Sequence, residues 1–147
     1  MIKNVMLIDD NKIDLFVNQR IIEKYNPEIG INTFNNAISA ISFFKLLELN
    51  INMKPLTVPD VVLLDINMPE MNGFNFFKEF NRLNLIDKSK IDIYMLSSSL
   101  CPDDIYRARM ETHCSGYITK PLTVPKLENV FNKSVNNVEY EKFKKII

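Results

Sequence analysis

The sequence predicts an α/β domain built on a parallel sheet with helices on both faces. Three observations carry this. Short β-rich runs alternate with helical stretches along the whole chain, five of each. The run Val61–Leu64 is apolar at every position, as in a central strand buried on both sides. A length of 147 residues is that of one domain, and the area scaling laws bury roughly 69% of its unfolded surface.

The elements follow in order. Asn4–Ile8 is an apolar run that stops at Asp9-Asp10. Ile13, Phe16, Val17, Ile21 and Ile22 recur at helical spacing over 13–25. Ile29–Phe34 alternates as a short strand. Ala37–Leu49 is too long and too poor in β-branched residues for a strand, so it reads as an apolar helix. Pro55 and Pro59 close a loop before Val61–Leu64, which stops at Asp65. Gly73 is expected to supply a flexible turn into a third helix, where Phe74, Phe77 and Phe80 form a core stripe. Ile91–Leu96 is the fourth strand, ending at Ser97-Ser98-Ser99. Pro102 opens a helix through Ile105, Ala108 and Arg109. Tyr117–Thr119 is a very short fifth strand ending at Lys120-Pro121, and Leu127, Val130, Phe131 and Val135 mark a final amphipathic helix.

Composition excludes several classes. Eighteen basic residues balance eighteen acidic ones, so neither direct nucleic-acid binding nor a polybasic membrane module is expected. No apolar run is long enough to span a bilayer, and no leader precedes the first strand. Two cysteines without a disulfide pattern suit a reducing compartment, and the expected location is cytoplasmic. Three glycines are too few for a nucleotide-binding loop. The lone His113 reads as a surface residue, and Cys101 and Cys114 as free thiols.

In open parallel sheets, ligands bind beyond the carboxyl ends of the strands. Those ends here deliver Asp9 and Asp10, Asp65, Ser97 and Lys120 from four separate segments. Three gathered carboxylates repel one another, and a hard divalent cation relieves that repulsion. Magnesium, with manganese as the alternative, fits an all-oxygen set; zinc would want His or Cys. Asp9-Asp10 alone could equally be a turn and helix cap. A carboxylate such as Asp65 beside a metal can attack phosphorus, while Lys120 and a serine hydroxyl bind the phosphoryl oxygens.

Asp9-Asp10, Leu63-Leu64-Asp65-Ile66-Asn67-Met68-Pro69-Glu70-Met71-Asn72-Gly73, Leu96-Ser97-Ser98 and Gly116-Tyr117-Ile118-Thr119-Lys120-Pro121 resemble the receiver domain of bacterial two-component response regulators. The resemblance covers 1–133, with 134–147 as a helical extension or tail. It implies a doubly wound (βα)₅, flavodoxin-like three-layer sandwich with parallel sheet order 2-1-3-4-5. It implies phosphoryl transfer to Asp65 from a sensor histidine kinase or a histidine phosphotransfer protein. It further implies magnesium held by Asp10, Asp65 and the Asn67 carbonyl, with Asp9 acting through water, Lys120 on the phosphoryl group, and a cis Lys120–Pro121 peptide.

Many members carry Thr where this chain has Ser97. Ser98 competes on spacing, and the Met95-Leu96-Ser97 context favours Ser97. Tyr117 occupies the position of the family's aromatic switch. Phosphate would draw the Ser97 hydroxyl inward, Tyr117 would turn into the vacated space, and the face of the fourth helix, fifth strand and fifth helix would change for a downstream protein target. An ordinary strand tyrosine with its hydroxyl in water is the plainer alternative. The tail is too short for an effector domain, so a stand-alone regulator, monomer or homodimer, is expected. Two other readings compete: a receiver that only binds a partner, and an aspartyl-phosphate phosphatase. The second wants an acid two residues after the nucleophile, where this chain has Asn67.

Overall fold

The computed structural model describes residues 1–49 and 56–135, with side chains to 132. Its elements are β1 (Asn4–Ile8), α1 (Lys12–Tyr25), β2 (Gly30–Phe34), α2 (Ala37–Leu49), β3 (Val61–Asp65), α3 (Gly73–Asn81), β4 (Asp92–Ser97), α4 (Pro102–Met110), β5 (Cys114–Thr119) and α5 (Val124–Val135). The expected loop residue Pro55 and residues 136–147 of the expected tail lie outside the described residues. All five strands pair in parallel in the order β2-β1-β3-β4-β5. This is the doubly wound, flavodoxin-like sandwich.

Alternation along the strands divides the core into two layers. Met6, Ile8, Val62, Leu64, Ile93 and Met95 pack toward α2, α3 and α4. Val5, Leu7, Leu63, Tyr94, Leu96 and Ile118 pack toward α1 and α5, including Leu15, Ile22, Leu127 and Phe131. β3 is buried at all five positions, which is why its sequence shows no polar alternation.

The phenylalanine stripe is core, and it is wider than its three-residue spacing indicated. Phe76 is buried with Phe77 and Phe80, and Phe44 from α2 meets Phe80 at 5.2 Å and Phe76 at 6.1 Å between centroids. Edge-to-face packing of this kind ties α2 to α3.

β5 starts earlier than its sequence suggests. Gly116 is a weak strand former, and β4 recruits Cys114 and Gly116 through backbone pairing. A register shift falls between Ile93↔Cys114 and Tyr94↔Gly116. There the Tyr94 ring lies so close to Gly116 that a β-carbon would sit 2.9 Å from it. A short 3₁₀ turn at Lys88–Lys90, capped by Asp87, was not signalled by periodicity.

Gly73 has a role other than flexibility. Its φ is not positive. A β-carbon there would stand 2.9 Å from the carbonyl oxygen of Asp65 and 3.1 Å from the Cα of Ile66. Gly73 therefore lets α3 start against the end of β3, and its N–H donates to the Ile66 carbonyl at 2.9 Å. The left-handed position of this connection is Glu70, with φ 65°. That conformation costs a residue with a β-carbon on the order of 1 kcal/mol. Glu70→Asn and Glu70→Gly are each expected to raise unfolding free energy by about 0.5–1 kcal/mol in urea titrations.

Candidate functional site

β1 and β3 are neighbours, while their following helices α1 and α3 lie on opposite faces of the sheet. A crevice opens where the connections part. Asp9 and Asp10 leave β1 on one side of it, and Asp65 ends β3 on the other. One carboxylate oxygen from each of the three lies within 4.8 Å of the others. Asp9 and Asp65 are buried, and Asp10 is exposed.

Asp9 uses both oxygens on protein donors. Oδ1 accepts from the Asn11 N–H at 2.9 Å and Oδ2 from Lys120 Nζ at 2.9 Å. Lys120 arrives from the end of β5, placed there by its own N–H bonded to the Ser97 carbonyl at 2.9 Å. The same Nζ lies 3.5 Å from Asp65 Oδ1. The Lys120–Pro121 peptide is cis. Lys126 Nζ donates to the carbonyls of Thr119 at 2.6 Å and Pro121 at 3.1 Å, on either side of Lys120.

Burial first, then the charges of Asp9 and Asp10, push the Asp65 carboxyl up to about 7. Lys120 pulls in the opposite direction without cancelling the shift. Burial alone would lower the Lys120 ammonium. Hydrogen bonds to Asp9 and Asp14, with the charge of Asp65, hold it above the usual lysine range instead. The site is therefore short of positive charge, and its donor set is all oxygen. That chemistry fits a hard divalent cation such as magnesium.

Asp14 was not foreseen. It stands in the first turn of α1 and accepts from Lys120 Nζ at 2.9 Å. Its signal in the sequence was spacing: an acid four residues after Asp10, one turn along a helix that starts directly after the acidic pair.

Of the two serines at the end of β4, Ser97 is fully buried within the strand and Ser98 is exposed. Ser97 pairs with Thr119 across the sheet. Its hydroxyl accepts from the Ser99 N–H at 3.1 Å. Ser99 in turn accepts the Tyr117 hydroxyl on its carbonyl at 2.7 Å, and its own hydroxyl donates to Asp104 of α4 at 3.0 Å. Tyr117 is fully buried. The ring is turned inward, and its hydroxyl is held by the Ser99 carbonyl instead of water. Asn67 is exposed, two residues past Asp65.

His113 faces Asn81, with Nδ1 2.7 Å from Oδ1, and its ring edge packs on Phe80, far along the fold from the acids. Cys101 is exposed and Cys114 buried, neither in a disulfide, and the Cys114 thiol donates to the Gly116 carbonyl at 3.3 Å.

A doubly wound sheet with three carboxylates and a lysine at its switch point defines a class of α/β domains with an acidic site. Comparison with known proteins narrows the class. The family described as response regulator receiver domain matches residues 5–132, and the chain belongs to that family. A two-component response regulator from Cytophaga hutchinsonii superimposes with a TM-score of 0.79 at 34% identity, covering 92% of this chain and 98% of that one. The sensor histidine kinase CheAY of Helicobacter pylori is 28% identical over 131 residues, 89% of this chain but only 15% of that protein. The response regulator Rcp1 of Synechocystis is 25% identical over 118 residues, 80% of this chain and 76% of its own length. Among the described residues, no helix is long and apolar enough to cross a membrane.

Proposed function

We propose that this receiver accepts a phosphoryl group on Asp65 from a phosphohistidine donor, either a sensor kinase or a histidine phosphotransfer protein. It then signals to a protein target through the face made by α4, β5 and α5. The observation that carries the reading is the buried Asp65 carboxylate, set 3.5 Å from Lys120 and beside two further acids at the switch point.

In the transfer, an Asp65 oxygen forms a bond to phosphorus as the phosphorus–nitrogen bond of the donor imidazole breaks, and the imidazole keeps that electron pair. Asp65 must be ionised to attack, and Lys120 holds charge next to it throughout. Asp10 and Asp65 would hold a metal directly, and Asp9, whose oxygens also accept from Asn11 and Lys120, would act through water. The exposed connection carrying Asn67 would complete the protein ligands. Magnesium, when bound, would offset charge on the transferring phosphoryl oxygens. After transfer, Lys120 and the Ser97 hydroxyl bind phosphoryl oxygens.

Movement of the Ser97 hydroxyl would take an acceptor away from the Ser99 N–H. Ser99 also holds the Tyr117 hydroxyl and the first turn of α4. The switch is then a rearranged hydrogen-bond chain in which the Tyr117 ring keeps its burial. No acid stands where a phosphatase of this chemistry would need one, since Asn67 occupies that position.

The test is labelling by acetyl phosphate with magnesium, read by intact-mass spectrometry. Wild type is expected to gain the mass of one phosphoryl group and Asp65→Asn none. Undiminished labelling of Asp65→Asn would overturn the assignment. A second arm separates donor docking from chemistry. α1 exposes Ile13, Phe16 and Val17 beside the site. Ile13→Ser with Phe16→Ala should slow transfer from a phosphohistidine protein about tenfold or more and leave labelling by acetyl phosphate unchanged.

A further inference from the structure

Lys120 is held by more carboxylate than charge balance at Asp65 requires. An ammonium has three N–H donors. Two make short contacts of 2.9 Å, to Asp9 and Asp14, and the approach to Asp65 is the longest at 3.5 Å. Asp14 differs from the other two acids. It is absent from the group of three whose oxygens converge for a metal. It sits on a helix whose start is fixed by the Asn11 side chain, which accepts from the N–H groups of Ile13 and Asp14 at 3.0 and 3.1 Å. Its side chain keeps 39% of its exposure, whereas Lys120 keeps 18% and Asp9 4%. It is thus a partly solvated carboxylate on a capped helix that engages a half-buried ammonium.

We infer that Asp14 is a positioning residue that holds Lys120 back from Asp65 and competes for it with the incoming phosphoryl group. This rests on the phosphoacceptor reading of Asp65. A phosphoryl group on Asp65 brings oxygens that need the same N–H donors, and an ammonium shared with Asp14 has fewer to give. Neutralising Asp14 leaves the helix cap intact, because the cap uses its backbone N–H. The lysine is then free to turn toward Asp65.

The experiment is a double-mutant cycle between Asp14→Asn and Lys120→Met. Affinity for beryllofluoride with magnesium is read by tyrosine fluorescence, usable because the chain has no tryptophan. With Lys120 present, Asp14→Asn is expected to tighten binding about 3- to 10-fold. In the Lys120→Met background it should change nothing. Removal of a negative charge would by itself attract the anion in both backgrounds, so an equal gain in both overturns the inference. An unchanged affinity with Lys120 present overturns it as well. The same cycle is read on the acetyl phosphate labelling rate, which stays measurable if Lys120→Met binds the mimic too weakly: faster labelling by Asp14→Asn only when Lys120 is present supports competition, and any other pattern sinks it. Wild-type protein that binds no mimic and takes no label would overturn the phosphoacceptor reading and this inference together, whereas a flat cycle on a wild type that binds and labels removes only the role of Asp14.

Discussion

Asp65→Asn is expected to be more stable than wild type in metal-free buffer above neutral pH, although it removes the residue at the centre of the site. The folded Asp65 carboxyl sits at about 7, against an ordinary value of 3.8. Folding therefore favours its protonated form. The associated stability is fully present below about pH 4, declines as pH rises, and is lost once pH passes 7. Asparagine has nothing to ionise. At pH 8 with chelator, the variant should gain about 2 kcal/mol, or roughly 5–10 °C in Tm. At pH 4 the two proteins should melt together. Parallel pH profiles from calorimetry would mean that repulsion at Asp65 is not a cost of folding.

Lys120→Met should act in the opposite direction and more sharply. Methionine preserves much of the aliphatic stem and deletes the only cation that touches Asp9, Asp14 and Asp65 among the described residues. Asp9 is nearly inaccessible to water and cannot recover its lost partner from solvent. Removing one side of a buried charge pair costs about 3–5 kcal/mol, and the exposure of Asp14 lowers the figure here to about 2–3. A divalent cation supplies the missing positive charge, so magnesium should raise the Tm of Lys120→Met more than that of wild type. Equal magnesium shifts would show that Lys120 and a bound cation do not balance the same carboxylates. Labelling of Lys120→Met by acetyl phosphate should persist at reduced rate, while the Ser97–Ser99–Tyr117 rearrangement is lost.

Much of this arrangement could be read from the chain. β1 and β3 were visible because burial on both faces leaves an uninterrupted apolar run that stops at an acid. The acids, Ser97 and Lys120 were visible because strand ends of a parallel sheet converge. What was hidden depended on neighbours distant in sequence. Cys114-Ser115-Gly116 becomes strand only because β4 is there to pair with it. Gly73 looked like a hinge, yet the crowding of Asp65 and Ile66 is what requires it. The burial of Tyr117 follows from a carbonyl on the loop after β4, and no local pattern in β5 announces that partner. Asp14 resembles any acid in the first turn of a helix until Lys120 is brought across from β5.

That crossing has a consequence for the life of the protein in the cell. The contacts from Lys120 to Asp9 and Asp14 span 111 and 106 positions of chain. In synthesis the acids precede their counter-charge, which follows the other four described strands. A nascent chain stalled before β5 would carry Asp9, Asp14 and Asp65 without the lysine that pairs with them. The acidic site is therefore neutralised from within the chain only once the last described strand is in place.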